Sequence, residues 1–260
     1  MYGSNGNGVL NRGALVTINQ TNGTGTVVGT PVAGVGLPGL AFHPDGRLFA
    51  ATVTSGSPST LIQINPDTGA LIATIGTINV NGTPLSIGDL SFQPGTGVLY
   101  GITSNTFSAG GLLYTINITT AAATFVGDAQ SGAGGGIAFA PNGTLYQTSF
   151  SDPNFTGFSL NVISPIDAHR ISTTPIDNYY DGLGIRPSDG VLFATPGNSD
   201  AVYTINPVNG VTTFIGSTGQ GNVSDLAFRV VSCSRSCRRW GARCRTQTLK
   251  ECEQMQQLRN

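Results

Sequence analysis

An all-β fold, built from one repeated unit and closed on itself, is what this chain predicts, and three observations predict it. The first is a motif that returns along the chain. It reads GLAFHPDGRLFA at 39–50, DLSFQPGTGVLYG at 89–101, GIAFAPNGTLYQ at 136–147 and GLGIRPSDGVLFA at 182–194, with a half-copy DLAFRV at 225–230. Measured at Leu40, Leu90, Ile137, Leu183 and Leu226, the steps are 50, 47, 46 and 43 residues. The second is a companion unit between the copies, a short alternating strand, an Asn/Pro/Asp/Gly turn and a Thr-rich strand ending in Ile/Val-Gly. The third is the phase of the two chain ends, which are complementary parts of one repeat. A period in this range with all-strand content marks a β-propeller, a ring of four-stranded blades.

Each repeat supplies four strands in order. The innermost is the GLAF segment, whose Leu40 and Phe42 share one face by the period of two while Ala41 takes the other. Ser91, Ala138, Gly184 and Ala227 hold the Ala41 position elsewhere. Blades stack face to face, so a bulky face next to a small-residue face is what such a ring requires. Pro-Asp-Gly at 44–46 and Pro-Asn-Gly at 141–143 turn the chain into the second strand, LFA or LYG. The third and fourth strands form a hairpin: LVTINQTNG at 15–23 with VVG at 27–29, LIQINPDTG at 61–69 with TIG at 74–76, LYTINITTA at 113–121 with FVG at 125–127, and VYTINPVNG at 202–210 with FIG at 214–216. The fourth copy, LNVISPIDA at 160–168, is degenerate. The chain opens with Met1-Tyr2-Gly3, which aligns with the second strand, and closes on an innermost strand at 225–230. Residues 1–29 and 225–230 together complete one blade, which makes five blades closed by a terminal-strand clasp.

Two segments follow from composition. Residues 1–228 hold eleven Asp and four Arg (Arg12, Arg47, Arg170, Arg186), with no Glu, Lys, Cys or Trp. The propeller is expected over 1–230. Residues 231–260 form a Cys/Arg-rich tail carrying Cys233, Cys237, Cys244, Cys252, Trp240 and Lys250. Its spacing fits no common zinc pattern. A two-disulfide clasp, a disordered basic arm and a stretch read out of frame are the readings it admits. The Lys-free, mildly acidic body argues against a nucleic-acid partner. No run of eighteen apolar residues is present, so no membrane span is expected, and no leader is visible ahead of the first repeat. Seven Asn-x-Ser/Thr triplets (Asn19, Asn22, Asn81, Asn117, Asn142, Asn154, Asn222) are read as turns rather than glycan sites.

The combined pattern LYGI…LLYTIN…TFVG…GIAFAPNGTLYQ resembles secreted bacterial propeller repeats with a consensus near Leu-Tyr-x-Ile-Asp-x-x-Thr-Gly-x-x-Thr-x-Ile-Gly, and more distantly the NHL and YVTN repeats. The resemblance covers residues 1–230. It implies a secreted or cell-surface location, and its more distant relatives imply a binding platform; an unidentified protein or glycan partner and a monomer are expected. Gluconolactonase-type propellers, which are hydrolases, look to need a Glu metal ligand, and this body has no Glu.

Chemistry in the body is limited to Asp, His, Tyr, Ser and Thr. His43 sits in a turn at a position held elsewhere by Gln93, Ala140 and Arg186, and His169 follows Asp167 in the degenerate turn; both are read as turn residues. The stronger constellation comes from the repeat. Asp89 and Asp225 share one position at the start of an innermost strand, and Asp181 lies one residue upstream of it. Three carboxylates converging at one channel mouth would suit Ca²⁺, with Asn178 as a further donor; the plainer reading is that each caps backbone N–H groups. Tyr179 and Tyr180 depart from the repeat and are ligand-binding candidates, by stacking on a sugar or by packing the mouth. A lectin-like reading needs an aromatic site in every repeat; Tyr100, Tyr146, Phe49 and Phe193 align but read as core. The function expected from these features is a non-catalytic secreted or surface module for binding or structure. The alternative is a metal-dependent hydrolase or lyase using the Asp cluster.

Overall fold

The structure, a computed structural model, describes residues 1–229 apart from 7, 9, 55–57, 104–110, 132, 133 and 152–155. The tail at 231–260 lies outside the described residues. Strands β1 (Tyr2–Asn5), β2 (Leu15–Ile18) and β3 (Gly25–Gly29) begin the chain. The second blade is β4 (Gly36–Phe42), β5 (Leu48–Val53), β6 (Thr60–Ile64) and β7 (Leu71–Thr77), followed by a two-residue hairpin, β8 (Asn79–Val80) with β9 (Thr83–Pro84). The third is β10 (Ile87–Phe92), β11 (Leu99–Thr103), β12 (Leu112–Ile116) and β13 (Ala123–Asp128), and the fourth β14 (Gly134–Phe139), β15 (Leu145–Phe150), β16 (Phe158–Ile163) and β17 (Arg170–Ile176). The fifth is β18 (Gly182–Ile185), β19 (Leu192–Thr195), β20 (Ala201–Ile205) and β21 (Thr212–Ser217). The last strand, β22 (Val223–Ala227), returns to pair antiparallel with β1, Gly3 opposite Leu226 and Ser4 opposite Asp225. Sheet order β22-β1-β2-β3 is the clasp the two chain ends predicted. The described residues contain strands and turns and no helix, so none is long and apolar enough to cross a membrane.

Five hydrophobic clusters fill the five gaps between neighbouring blades. Ala41 and Phe49 of the second blade meet Leu90 and Phe92 of the third. Ala138 and Leu160 of the fourth meet Leu183 and Ile185 of the fifth, and Ala227 of the first meets Leu40 and Phe42 of the second. The small face predicted by Ala41 and its counterparts is therefore the seat for the next blade's Leu and Phe. The second strands add an aromatic to the same step: Tyr2 lies 5.2 Å from Phe42, Phe49 5.7 Å from Phe92, Tyr100 5.1 Å from Phe139 and Phe193 5.5 Å from Phe228. Such tilted or edge-on pairs each add about 0.5–1.5 kcal/mol beyond the area they bury. At the fourth step Ile185 replaces the ring, and Tyr146 packs on that aliphatic cluster instead.

The Ile/Val-Gly ending of each outer strand has a steric cause. In four blades the ladder between the third and fourth strands shifts register there, leaving Val28, Ile75, Val126 or Ile215 as the extra residue of a β-bulge ahead of the glycine. That glycine meets the following blade's hairpin turn. A Cβ on Gly69 would lie 2.6 Å from the Gly29 Cα, and one on Gly23 would lie 2.6–2.8 Å from the backbone of Gly216. The turns are built by Asn19, Asn65, Asn117 and Asn206, whose side-chain oxygens accept the N–H two residues on at 2.8–2.9 Å. In the fourth blade Ser164 takes that role and Pro175 stands where the glycine would be, which is why its copy reads as degenerate.

A substitution separates rim packing from backbone strain. Gly216 has ordinary strand geometry, but a Cβ there would collide with the Asn22 carbonyl oxygen, whereas Gly143 has φ 86° and open space around it. Gly216→Ala is expected to cost about 3 kcal/mol, the upper range for overpacking. Gly143→Ala is expected to cost about 1 kcal/mol, from the left-handed backbone alone. Urea unfolding of the two variants measures this, and equal losses would refute close packing at the rim.

Candidate functional site

The five innermost strands, β4, β10, β14, β18 and β22, run down the central channel from an upper end, where they begin, to a lower end. At matching positions they carry Gly39, Asp89, Gly136, Gly182 and Asp225, each followed by the Leu or Ile of the repeat. The N–H groups of those next residues turn toward the axis. A buried N–H without an acceptor is costly. Two carboxyl groups accept all five. Asp225 takes the N–H of Leu226 at 2.6 Å on Oδ1 and that of Leu40 at 2.5 Å on Oδ2, and also that of Leu183. Asp89 takes Leu90 at 2.5 Å on Oδ1 and Ile137 at 2.6 Å on Oδ2. The two carboxyls also hydrogen-bond to each other.

Both acids are 0% exposed. Burial raises the Asp89 carboxyl well above the ordinary range, and the neighbouring charge of Asp225 raises it further. Burial likewise pushes Asp225 up to about 8, against the hydrogen bonds from Asp89, Leu40, Leu226 and Leu183 that favour its anion. The glycines at the other three positions answer to the same crowding. A Cβ on Gly39 would sit 3.0–3.1 Å from Leu90 Cγ and the backbone of Asp89, and one on Gly182 2.5 Å from Thr195 Oγ1 and 2.7 Å from Asp225 Cα.

The third carboxylate of the sequence constellation goes elsewhere. Asp181 precedes β18 by one residue, and its N–H donates to the Thr195 carbonyl at 3.0 Å. Its carboxyl lies over Gly197, where a Cβ would collide with Oδ2, and accepts the Tyr179 hydroxyl. The side chain is partly exposed at the upper mouth. Burial raises its carboxyl above the ordinary range, and the Tyr179 hydrogen bond works against that rise. Among the described residues no group of three His, Cys, Asp or Glu is gathered to hold a metal. At the axis the five inward N–H groups are already taken up by the carboxyls of Asp89 and Asp225.

The three expected ligand-binding residues separate. Tyr179 is partly exposed and lies 5.0 Å from Phe150, stacked at 25°, with Phe158 tilted against it at 6.3 Å. Burial, and then the Asp181 charge, raises its hydroxyl above the usual tyrosine range. Tyr180 is fully buried, its hydroxyl donating to Asp177 Oδ1 at 3.1 Å and its ring edge-on to Tyr203 at 5.6 Å. Asn178 accepts the Tyr179 N–H at 2.8 Å. So Asp181 and Tyr179 stand together at the upper mouth, on a platform with Phe150 and Phe158 that the sequence reading missed. Those two residues flank the β15–β16 loop of the one blade whose repeat is degenerate, and that departure was the available signal. His43 and His169 are in lower turns, His43 Nδ1 2.8 Å from Asp45 and His169 Nδ1 2.7 Å from Asp167. The lower end of the channel is an apolar funnel of about 340 Å³ ringed by Phe42, Phe92, Phe139, Ile185 and Phe228.

A ring of five four-stranded blades makes this chain a β-propeller, and comparison with solved structures agrees. It is similar to a gluconolactonase from Xanthomonas campestris (TM-score 0.51, 16% identity, 82% of this chain and 71% of that one). It is similar to the PQQ-bound aldose sugar dehydrogenase of Streptomyces coelicolor (0.52, 14%, 84% and 79%) and to a chain of a nidogen/laminin complex (0.57, 11%, 87% and 80%). No family model matches the sequence, and no curated protein matches it either. At these identities the likeness establishes the fold. It also corrects the expectation of a module without catalysis: two of these three neighbours are enzymes, and that finding backs the enzymatic alternative better.

The donor geometry yields a prediction about cations. A ligand at a hundred times its dissociation constant adds about 2.7 kcal/mol to stability. Millimolar Ca²⁺ is expected to leave the midpoint of thermal unfolding unchanged, as is a chelator. A rise on adding calcium would show a cation site that the pairing of Asp89 with Asp225 does not account for.

Proposed function

We propose that the chain is a hydrolase of small sugar-derived esters, aldonolactones first among them, with Asp181 as its general base at the upper mouth. The observation that carries this reading is the pairing of a partly exposed carboxylate, raised above its ordinary range by burial, with a stacked aromatic platform. A raised carboxylate is a stronger base than a free one. Aromatic faces beside a carboxylate suit a ring that is apolar on one side and rich in hydroxyls at its edge. The gluconolactonase and the aldose sugar dehydrogenase among its structural neighbours support a sugar-derived substrate.

In the reaction proposed, Asp181 takes a proton from a water molecule whose oxygen bonds to the lactone carbonyl carbon. The ring C–O bond then breaks, and the departing alkoxide receives the proton back. Tyr179 holds the Asp181 carboxyl in place and offers its ring to the sugar. The resemblance of the repeats, with the low charge and Thr, Ser and Asn-rich surface, supports work at the cell surface or in the medium.

Asp181→Asn is expected to lower kcat/KM on aldonolactones by about 10²–10⁴-fold, the usual worth of a general base, with the unfolding midpoint little changed. Asp67→Asn, on a surface ion pair with Arg229, serves as the unaffected control. Activity should fall as pH drops through the raised Asp181 value, because the base must be ionised. Tyr179→Phe removes a bond that lowers that value, so the acid limb should move to higher pH. Wild-type protein that hydrolyses neither lactones nor sugar esters sinks the reading, and oxidation of aldoses with an artificial acceptor would redirect it.

A further inference from the structure

The propeller has one seam. Within four blades the innermost strand runs through a tight turn into its neighbour, but β22 meets β1 with no covalent link between them. Asp225 lies on β22 and ties it to β4 through Leu40 and to β18 through Leu183, while Asp89 ties β10 to β14 through Ile137. The contact between the two carboxyls joins these sets. Two full negative charges at hydrogen-bond distance, with no exposure to water, cannot both persist. One proton between them removes the repulsion and leaves a single charge for five N–H dipoles to hold.

We propose that Asp89 and Asp225 share one proton at neutral pH, and that this proton latches the ring, so that its loss at alkaline pH loosens β22 from its neighbours. Other charged groups around the pair are few. Strands β4, β14 and β18 carry no titratable side chain, and β10 and β22 carry only the pair itself. Behind them, β1, β11 and β15 contribute Tyr2, Tyr100 and Tyr146, which pack in the gaps between blades, while β5 and β19 contribute none. Asp181 ends the loop that leads into β18 and bonds to Tyr179. The Met1 amino group lies near the lower end with its charge disfavoured by burial. Its effect has the opposite sign, since a lowered amine adds stability as pH rises.

The direction follows from proton linkage. The folded pair holds a proton that the unfolded chain releases above the ordinary carboxylate value of 3.8, and holds it well beyond that value because burial and the neighbouring carboxylate raise the acid that keeps it. That contribution to stability is therefore whole only below the ordinary carboxylate value and is lost progressively as pH rises toward the raised one. Binding of one extra proton by the folded state means an unfolding constant that grows about tenfold per pH unit. Asp181, also raised, contributes in the same direction, so its own variant must be run alongside.

The experiment is urea unfolding of the full chain from pH 5 to 9 for the wild type, Asp89→Asn and Asp181→Asn. In Asp89→Asn the amide N–H₂ donates to Asp225 in place of the proton, so the pair's part of the slope should vanish and leave only that of Asp181, while Asp181→Asn should keep the pair's part. The tail contributes equally to all three. Carbon-13 NMR of the native wild type's aspartate carboxyls gives a readout that does not depend on Asp89→Asn folding. Two carboxyl carbons should titrate together, far above the others. Amide exchange, corrected for intrinsic rates, should show Leu226, Leu40 and Leu183 losing protection before β12 does as pH rises. Both carboxyls ionised at pH 7, or identical pH slopes in wild type and Asp89→Asn, would overturn the proposal, and uniform loss of protection would overturn its placement at the seam.

Discussion

Five backbone N–H groups converge on the axis of this propeller where water has no place, and their satisfaction governs the inner ring. A β-sheet leaves the free edge of its first strand unpaired. When five such edges face one another, no further strand can be laid between them. Two side chains do what a strand would have done. Because Asp89 and Asp225 belong to blades that are not neighbours in the ring, each carboxyl reaches the N–H of its own strand and of adjacent ones. The intervening positions are glycine because their Cβ atoms would enter space that backbone already fills. The mixture of Asp and Gly at one repeat position, which looks like drift in the sequence, is one arrangement distributed over five blades.

Most of the fold was legible because propeller contacts repeat. The alternation of Leu40 and Phe42 with Ala41 states which face is bulky, and the phase of Met1-Tyr2-Gly3 against Asp225-Leu226-Ala227 states how the ring closes. The site was less legible, for two physical reasons. Side-chain direction flips with each residue, so one step along the chain is decisive: Tyr179 faces the mouth while Tyr180 is core, and Asp181, one residue off the Asp89 position, bonds at the rim instead of the axis. The other reason is distance in sequence. The Asp89–Asp225 contact spans three blades and exists only once the ring is shut, so no local pattern carries it. Capping is visible at Asp89 and Asp225, but their caps reach across blades where a local turn was pictured.

The channel is thereby divided. Above the acid pair lie polar loops, with Asp181 and the Tyr179, Phe150 and Phe158 platform. Below it lies a funnel of phenylalanines and prolines with no ionisable lining. A polyhydroxylated substrate finds partners only above. The fourth blade, whose repeat is the most eroded, supplies the aromatic platform, while its Pro175 still packs on the next blade's turn at Gly210. Regular blades carry the ring, and the irregular one carries the chemistry proposed for it.

The acid pair also bears on how many blades the ring can hold. A propeller with one more blade would have a wider bore and a sixth inward N–H. Carboxyls on opposite sides of that bore would no longer touch, and each would face fewer donors than it can accept. Duplicating a repeat of this sequence would thus add a well-formed blade and still not yield a larger closed ring. The reach of two short side chains across the axis thus favours five blades, a preference that lies outside the repeat pattern itself.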